Sequence, residues 1–192
     1  MNPRHIPNII SVARIALVGP IVVLILQRQF SAALGLMVVA GLSDALDGWL
    51  ARRYHWQSRL GSCLDPAADK LLLITGYIAL TSLSLLPLWL TVTIVLRDVV
   101  ILAGAAAYYR RVGPFEGQPL RISKLNTLLQ LILLISCLLN QMAGPFAPWP
   151  FTLLTGVVFL TTLASGVAYA VVWGRKYAQA RQQIQTRTIF PE

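Results

Sequence analysis

The chain has 192 residues, of which 56% are hydrophobic and only 12% charged, and its mean hydropathy is +0.67. Soluble domains carry about a quarter charged residues, so a water-soluble globular domain is excluded, and no stretch is polar enough to form a separate soluble unit. The net charge of +9 in so apolar a chain is explained by attraction to anionic lipid headgroups, and nucleic acid is not an expected partner.

In chain order, Met1-Asn2-Pro3-Arg4-His5 is too short for a secretory leader, and the apolar run behind it shows no small-residue cleavage site. That run is therefore expected to remain as a transmembrane helix. Runs of roughly 20 apolar residues are long enough to cross a bilayer, and six are expected here. They extend from about Pro7 to Gln27, Phe30 to Ala51, Asp65 to Leu85, Leu88 to Tyr109, Ile122 to Met142 and Trp149 to Trp173. The expected fold class is an all-α integral membrane protein with six transmembrane helices, built as a single domain over residues 1–192.

Charge placement sets the expected orientation. Arg4 precedes the first run, and Arg52, Arg53 and Arg59 lie between the second and third. Arg110, Arg111, Arg121 and Lys124 lie between the fourth and fifth, while Arg175, Lys176, Arg181 and Arg187 follow the sixth. The alternate loops hold only Arg28, so the positive-inside rule places both termini in the cytoplasm. Trp49, Trp89, Trp149 and Trp173 fall near run ends, where interfacial anchoring accounts for them. Cys63 and Cys137 lack metal-ligand spacing and are expected to be small packed residues.

The seven acidic residues are unevenly spread: four fall between Asp44 and Asp69. Asp44 and Asp47 are i,i+3 and Asp65 and Asp69 are i,i+4, so each pair shares a helix face. The loop between the two helices makes them antiparallel, so the acidic faces can meet at the membrane surface. Pro66 suits a first helical turn, with Asp65 as its N-cap. Four close carboxylates repel unless cations counter them, and hard oxygen donors favour Mg²⁺, Mn²⁺ or Ca²⁺. Gly48 and Ala51 remove bulk where a nucleotide or its phosphates could approach the backbone, and Arg52 can pair with a phosphate. Single aspartates often only cap helices or pair with Arg52, Arg53 or Lys70. Four together with two glycines and an arginine argue for a functional site, since acids in membrane segments are rare.

The pattern D-x2-D-G-x2-A-R-x8-G-x3-D-x3-D, running from Asp44 to Asp69 through Gly61, resembles the signature of the CDP-alcohol phosphatidyltransferase family at every fixed position. The resemblance implies that Asp44, Asp47, Asp65 and Asp69 bind two divalent metal ions, Mg²⁺ or Mn²⁺, which hold the CDP diphosphate. It further implies that Asp69 is the general base, that Gly48, Ala51, Arg52, Ser58 and Gly61 line the CDP-lipid site, and that the enzyme is a homodimer. The acceptor alkoxide would attack the lipid-linked phosphorus and expel CMP. His5 and His55 begin no H-x-K-x4-D pattern, which excludes a phospholipase-D-type mechanism.

The choice of acceptor rests on other residues. Arg14, Arg97 and Lys124 lie in or beside apolar runs, where a cation needs a polar cavity or a partner. In one reading Arg14 or Arg97 pairs with Asp98 or with the motif aspartates. In the other, Arg14, Arg97 and Lys124 form a pocket for a phosphate-bearing lipid or glycerol acceptor. Ile6-Pro7-Asn8 with Ser11 and Arg14 looks like the start of both phosphatidylglycerophosphate synthases and mitochondrial-type cardiolipin synthases. Arg97-Asp98-Val99 and Ile122-Ser123-Lys124-Leu125-Asn126-Thr127, followed by Gln130, look more like the cardiolipin synthases. The lack of an organelle presequence and the shorter loop between the fourth and fifth runs point to the bacterial inner membrane. The expected function is therefore cardiolipin synthesis from CDP-diacylglycerol and phosphatidylglycerol, with the active site facing the cytoplasm. The alternative acceptor is glycerol 3-phosphate. A divalent-cation transporter is the alternative from another class, although its site would sit near the bilayer midplane and would not require Gly48, Ala51 or Arg52.

Overall fold

The computed structural model describes residues 6–54, 59–112, 120–144 and 148–189, all of them in helices or the turns between. Six helices follow one another: α1 Ile6–Leu26, α2 Phe30–Tyr54, α3 Arg59–Ser82, α4 Leu88–Val112, α5 Arg121–Ala143 and α6 Pro148–Ile189. Among the described residues there is no strand. Among the described residues, three helical stretches are long and apolar enough to cross a membrane: Leu88–Arg110, Arg121–Ala143 and Pro150–Lys176. Among the described side chains, α1 and α2 are also apolar over Val12–Leu26 and Phe30–Asp44.

Two helices extend well beyond the expected apolar runs. Helix α3 begins at Arg59, so Asp65 lies inside the helix and does not cap it. Pro66 forfeits one backbone bond, to the carbonyl four residues back, and the helix continues through it. Helix α6 runs on to Ile189, while its apolar stretch, Pro150–Lys176, agrees with the expected span from Trp149 to Trp173. Its added segment is rich in Arg, Gln and Ala, good helix formers that an apolar-run reading passes over.

The first two tight turns use the same device. After α1, Gln29 N–H donates to Leu24 O and Arg28 N–H to Ile25 O, each at 2.9 Å, with Arg28 at φ 59°. After α3, Leu85 N–H donates to Leu80 O at 3.0 Å and Ser84 N–H to Thr81 O at 2.9 Å, with Ser84 at φ 60°. Both are Schellman ends, in which a left-handed residue lets the chain reverse while satisfying the last carbonyls.

The helices pack as two groups. Helix α1 lies against α2 and α3, and α6 lies against α4 and α5; contacts of α2 and α3 with α5, and of α3 with α4, join the groups. At the join, Ile21, Ile25, Tyr77, Leu80, Leu134 and Leu138 belong to one buried cluster. Lipid is as apolar as these side chains, so close packing and interhelical hydrogen bonds hold such helices together. Gly76 permits the approach of α3 to α5, since a Cβ there would lie 3.0 Å from Leu134 Cδ1. Tyr77 Oη donates to the Gln130 carbonyl at 3.0 Å across the same contact. Between α5 and α6 the hydroxyls of Thr161 and Thr162 both meet the Asn126 side-chain amide at 2.9 Å. The N–H of Leu120, at the entry to α5, donates to Tyr169 Oη of α6 at 3.4 Å.

Candidate active site

Helix α1 delivers the residue that joins the two halves of the acidic motif. Arg14 is 3% exposed, and its guanidinium reaches a carboxylate on each neighbouring helix. Its Nη2 pairs with Asp44 Oδ1 of α2, and its Nη1 lies 3.3 Å from Asp69 Oδ1 of α3. A buried guanidinium is costly without such partners. Here its position inside the packed surface of α1 fixes where the acidic ends of α2 and α3 meet. The carboxylates themselves are open, with 40% of the Asp44 side chain and 54% of the Asp69 side chain exposed. A buried cation thus presents two accessible carboxylates to one space.

Asp47 lies one turn after Asp44 on α2, and Asp65 one turn before Asp69 on α3. Gly48, Ala51 and Arg52 occupy the last turns of α2, and Gly61 the first turn of α3. The side chains of these positions, and Ser58 altogether, lie outside the described residues. No group of three potential metal ligands is complete among the described side chains. The donors that are described fit a hard divalent cation: two carboxylates, from different helices, both accessible and brought together by one guanidinium.

The expected acceptor residues are placed differently from one another. Arg14 stands on the motif aspartates themselves. Arg97 of α4 is 5% exposed and is enclosed by hydrogen bonds. Its Nη1 donates to Asp98 at 2.5 Å, its Nη2 to Ser123 at 2.5 Å and to Ser165 at 2.6 Å, and its Nε to Ser165 at 3.2 Å. The face of Tyr169 lies 5.9 Å from its Cζ. Arg97 therefore ties α4 to both α5 and α6. Lys124 is exposed on the first turn of α5.

Sequence reasoning did not single out Ser165 or Lys70. Ser165 could have been found as part of a polar stripe on α6, because Thr162, Ser165 and Tyr169 recur at i, i+3 and i+7 in an apolar helix. Lys70 Nζ lies 3.2 Å from Asp98 Oδ1, making a link from α3 to α4.

Comparison with known proteins gives the site its context. The family model described as CDP-alcohol phosphatidyltransferase matches residues 4–173. Cardiolipin synthase (CMP-forming) of Rattus norvegicus is 37% identical over 93% of this chain and 64% of its own length. The chloroplastic CDP-diacylglycerol–glycerol-3-phosphate 3-phosphatidyltransferase 1 of Oryza sativa subsp. japonica is 34% identical over 92% of this chain and 58% of its own. A cardiolipin synthase (CMP-forming) of Streptomyces coelicolor is 44% identical over 50% of this chain and 48% of its own. The chain thus spans less than two thirds of the length of these relatives. Family members generally use divalent metals, in keeping with the donors that Arg14 gathers. A motif intact from Asp44 to Asp69, joined across two helices and lying within a match that covers most of the sequence, makes this chain a member of the CDP-alcohol phosphatidyltransferase family.

Proposed function

We propose that the chain transfers a phosphatidyl group from CDP-diacylglycerol to phosphatidylglycerol, forming cardiolipin and releasing CMP. The observation that carries this reading is the convergence of Asp44 and Asp69 on Arg14, which brings the two ends of the family motif to one place. The relatives named cardiolipin synthase favour phosphatidylglycerol as acceptor. The rice relative keeps glycerol 3-phosphate as the second reading.

Asp44, Asp47, Asp65 and Asp69 would hold two divalent ions, Mg²⁺ or Mn²⁺. When bound, such ions neutralise diphosphate charge and stabilise the leaving CMP. The exposed Asp69 carboxylate accepts the proton of the acceptor hydroxyl as its oxygen bonds to the lipid-linked phosphorus. The bond from that phosphorus to the bridging oxygen breaks, and the electron pair leaves with CMP. Gly48, Ala51, Arg52, Ser58 and Gly61 form the CDP-lipid side, with Arg52 pairing a phosphate. Lys124 stands on the acceptor side. Arg14 contributes by holding Asp44 and Asp69, and Arg97 by tying α4 to α5 and α6. The six helices form one membrane domain that works as a homodimer in a bacterial inner membrane, with its active site toward the cytoplasm.

A panel of acceptors given to purified protein with labelled CDP-diacylglycerol and Mg²⁺ or Mn²⁺ tests the assignment. Labelled cardiolipin formed from phosphatidylglycerol is expected. Labelled phosphatidylglycerophosphate from glycerol 3-phosphate alone would move the assignment to the second reading. A protein that carries divalent metal across vesicles and never releases CMP would overturn both.

A further inference from the structure

Among the cations around the motif, Lys70 combines a fixed position with an open side. It follows Asp69 on α3, so its side chain leaves the helix about 100° away from that of Asp69. Asp69 turns to Arg14 on α1, whereas Lys70 turns to Asp98 on α4. Lys70 Nζ lies 3.2 Å from Asp98 Oδ1, and 34% of its side chain is exposed. An ammonium has three donors, so the carboxylate leaves others for a ligand arriving from outside.

Arg97 lacks this freedom. Its bonds to Asp98, Ser123 and Ser165 use four of its five N–H groups. Only 4% of its side chain is exposed, so a phosphate would have to dismantle the cluster to reach it. Asp98 Oδ1 receives both Arg97 and Lys70. Two cations and one anion leave this trio a net charge of +1, and the accessible end of that charge is Lys70. Asp98 thus holds the ammonium without cancelling the group's attraction for an anion.

We propose that Lys70 binds the phosphate of the acceptor, with Asp98 as its positioning residue and Arg97 as the buried strut that fixes Asp98. This rests on reading the chain as a phosphatidyltransferase with a phosphate-bearing acceptor. The chemistry is an ammonium against a glycerol-linked phosphate, which both the diester of phosphatidylglycerol and the monoester of glycerol 3-phosphate supply. An ammonium acts here as a point charge and makes little demand on phosphate geometry.

The chain has three lysines, Lys70, Lys124 and Lys176, so amine acetylation followed by mass spectrometry can read Lys70 separately. Full-length protein in mixed micelles is labelled alone, with CDP-diacylglycerol, with phosphatidylglycerol and with glycerol 3-phosphate. The acceptor in use is expected to slow acetylation of Lys70 severalfold and leave Lys176 unchanged; the arm that protects identifies the phosphate source. Equal labelling of Lys70 in every arm would overturn the proposal. In kinetics, Lys70→Met is expected to raise the acceptor KM about tenfold or more while the KM for CDP-diacylglycerol and the melting temperature stay near wild type. Lys70→Arg should restore most of the loss, and Asp98→Asn should raise the acceptor KM in the same direction. Lower kcat with an unchanged acceptor KM in Lys70→Met would also overturn it. Wild-type protein that releases no CMP with any acceptor would defeat the transferase reading itself, while the protection experiment would still decide whether Lys70 meets the phosphate.

Discussion

Arg14 and Arg97 are both arginines buried in apolar helices, yet they serve different neighbours. Arg14 organises two carboxylates that remain open, whereas Arg97 is enclosed by Asp98, Ser123 and Ser165. The aspartates were legible in the sequence because their i,i+3 and i,i+4 spacings fix a shared helix face. The partners of the arginines were not, because pairing depends on how each helix is rotated against the next. Lys70 was hidden for the same reason: it looked like a bland counter-ion for the motif, and only the packing of α3 on α4 turns it toward Asp98. For Asp69 the prediction is direct. Asp69→Asn keeps the shape and removes the proton acceptor, so turnover should fall by roughly 10²–10⁴-fold. Some CDP-lipid binding should remain, measurable by titration with CDP-diacylglycerol. Turnover near wild type would remove Asp69 from the role of base.

At the scale of the helices, apolar runs gave the number and order of the elements, because each greasy stretch lies within one helix. They do not show the start of α3 or the end of α6, where helix continues through polar residues beyond the apolar stretch. They also gave no view of where helices approach closely. Gly104 on α4 is one such place, since a Cβ there would lie 2.7 Å from Trp173 Cδ1 and 2.9 Å from its Nε1. The indole is rigid and 8% exposed, so it has little room to give. Gly35 on α2 has nothing within 4 Å of the corresponding position. The same substitution should therefore have opposite signs at the two sites. Gly104→Ala should destabilise by about 1–3 kcal/mol through overpacking. Gly35→Ala should stabilise by roughly 0.5–1 kcal/mol through helix propensity. Thermal unfolding of the two variants in the same detergent compares them, and a loss of equal size at both would refute the close approach of α4 and α6.

Across the whole molecule, the proposed acid-bearing site belongs to the α1–α3 group, while the cluster around Arg97 belongs to α4–α6. Lys70 and Asp98 bridge the two. The basic residues suggest how this arrangement lies in a membrane. Arg52, Arg53 and Arg59 flank the connection from α2 to α3, the same end of the bundle that carries the motif. The turn from α1 to α2 holds the single cation Arg28, and the turn from α3 to α4 holds none. By the positive-inside rule, the motif end is expected to face the cytoplasm and these turns the opposite side. A single cysteine at each end separates the orientations, in a background carrying Cys63→Ala; Cys137 is buried and stays silent to a membrane-impermeant thiol reagent. In spheroplasts, Gln27→Cys, in the α1–α2 turn, should label without permeabilisation. Gln182→Cys, on the extension of α6 past its apolar stretch, should label only after the membrane is opened. The reverse pattern would invert the topology and place CDP-lipid chemistry on the far side. Labelling of both positions in intact cells would mean that the chain crosses the membrane an even number of times between them, and the six-span arrangement would fall. The expected pattern puts Asp44, Asp69 and Lys70 on the side to which a water-soluble nucleotide product such as CMP is released.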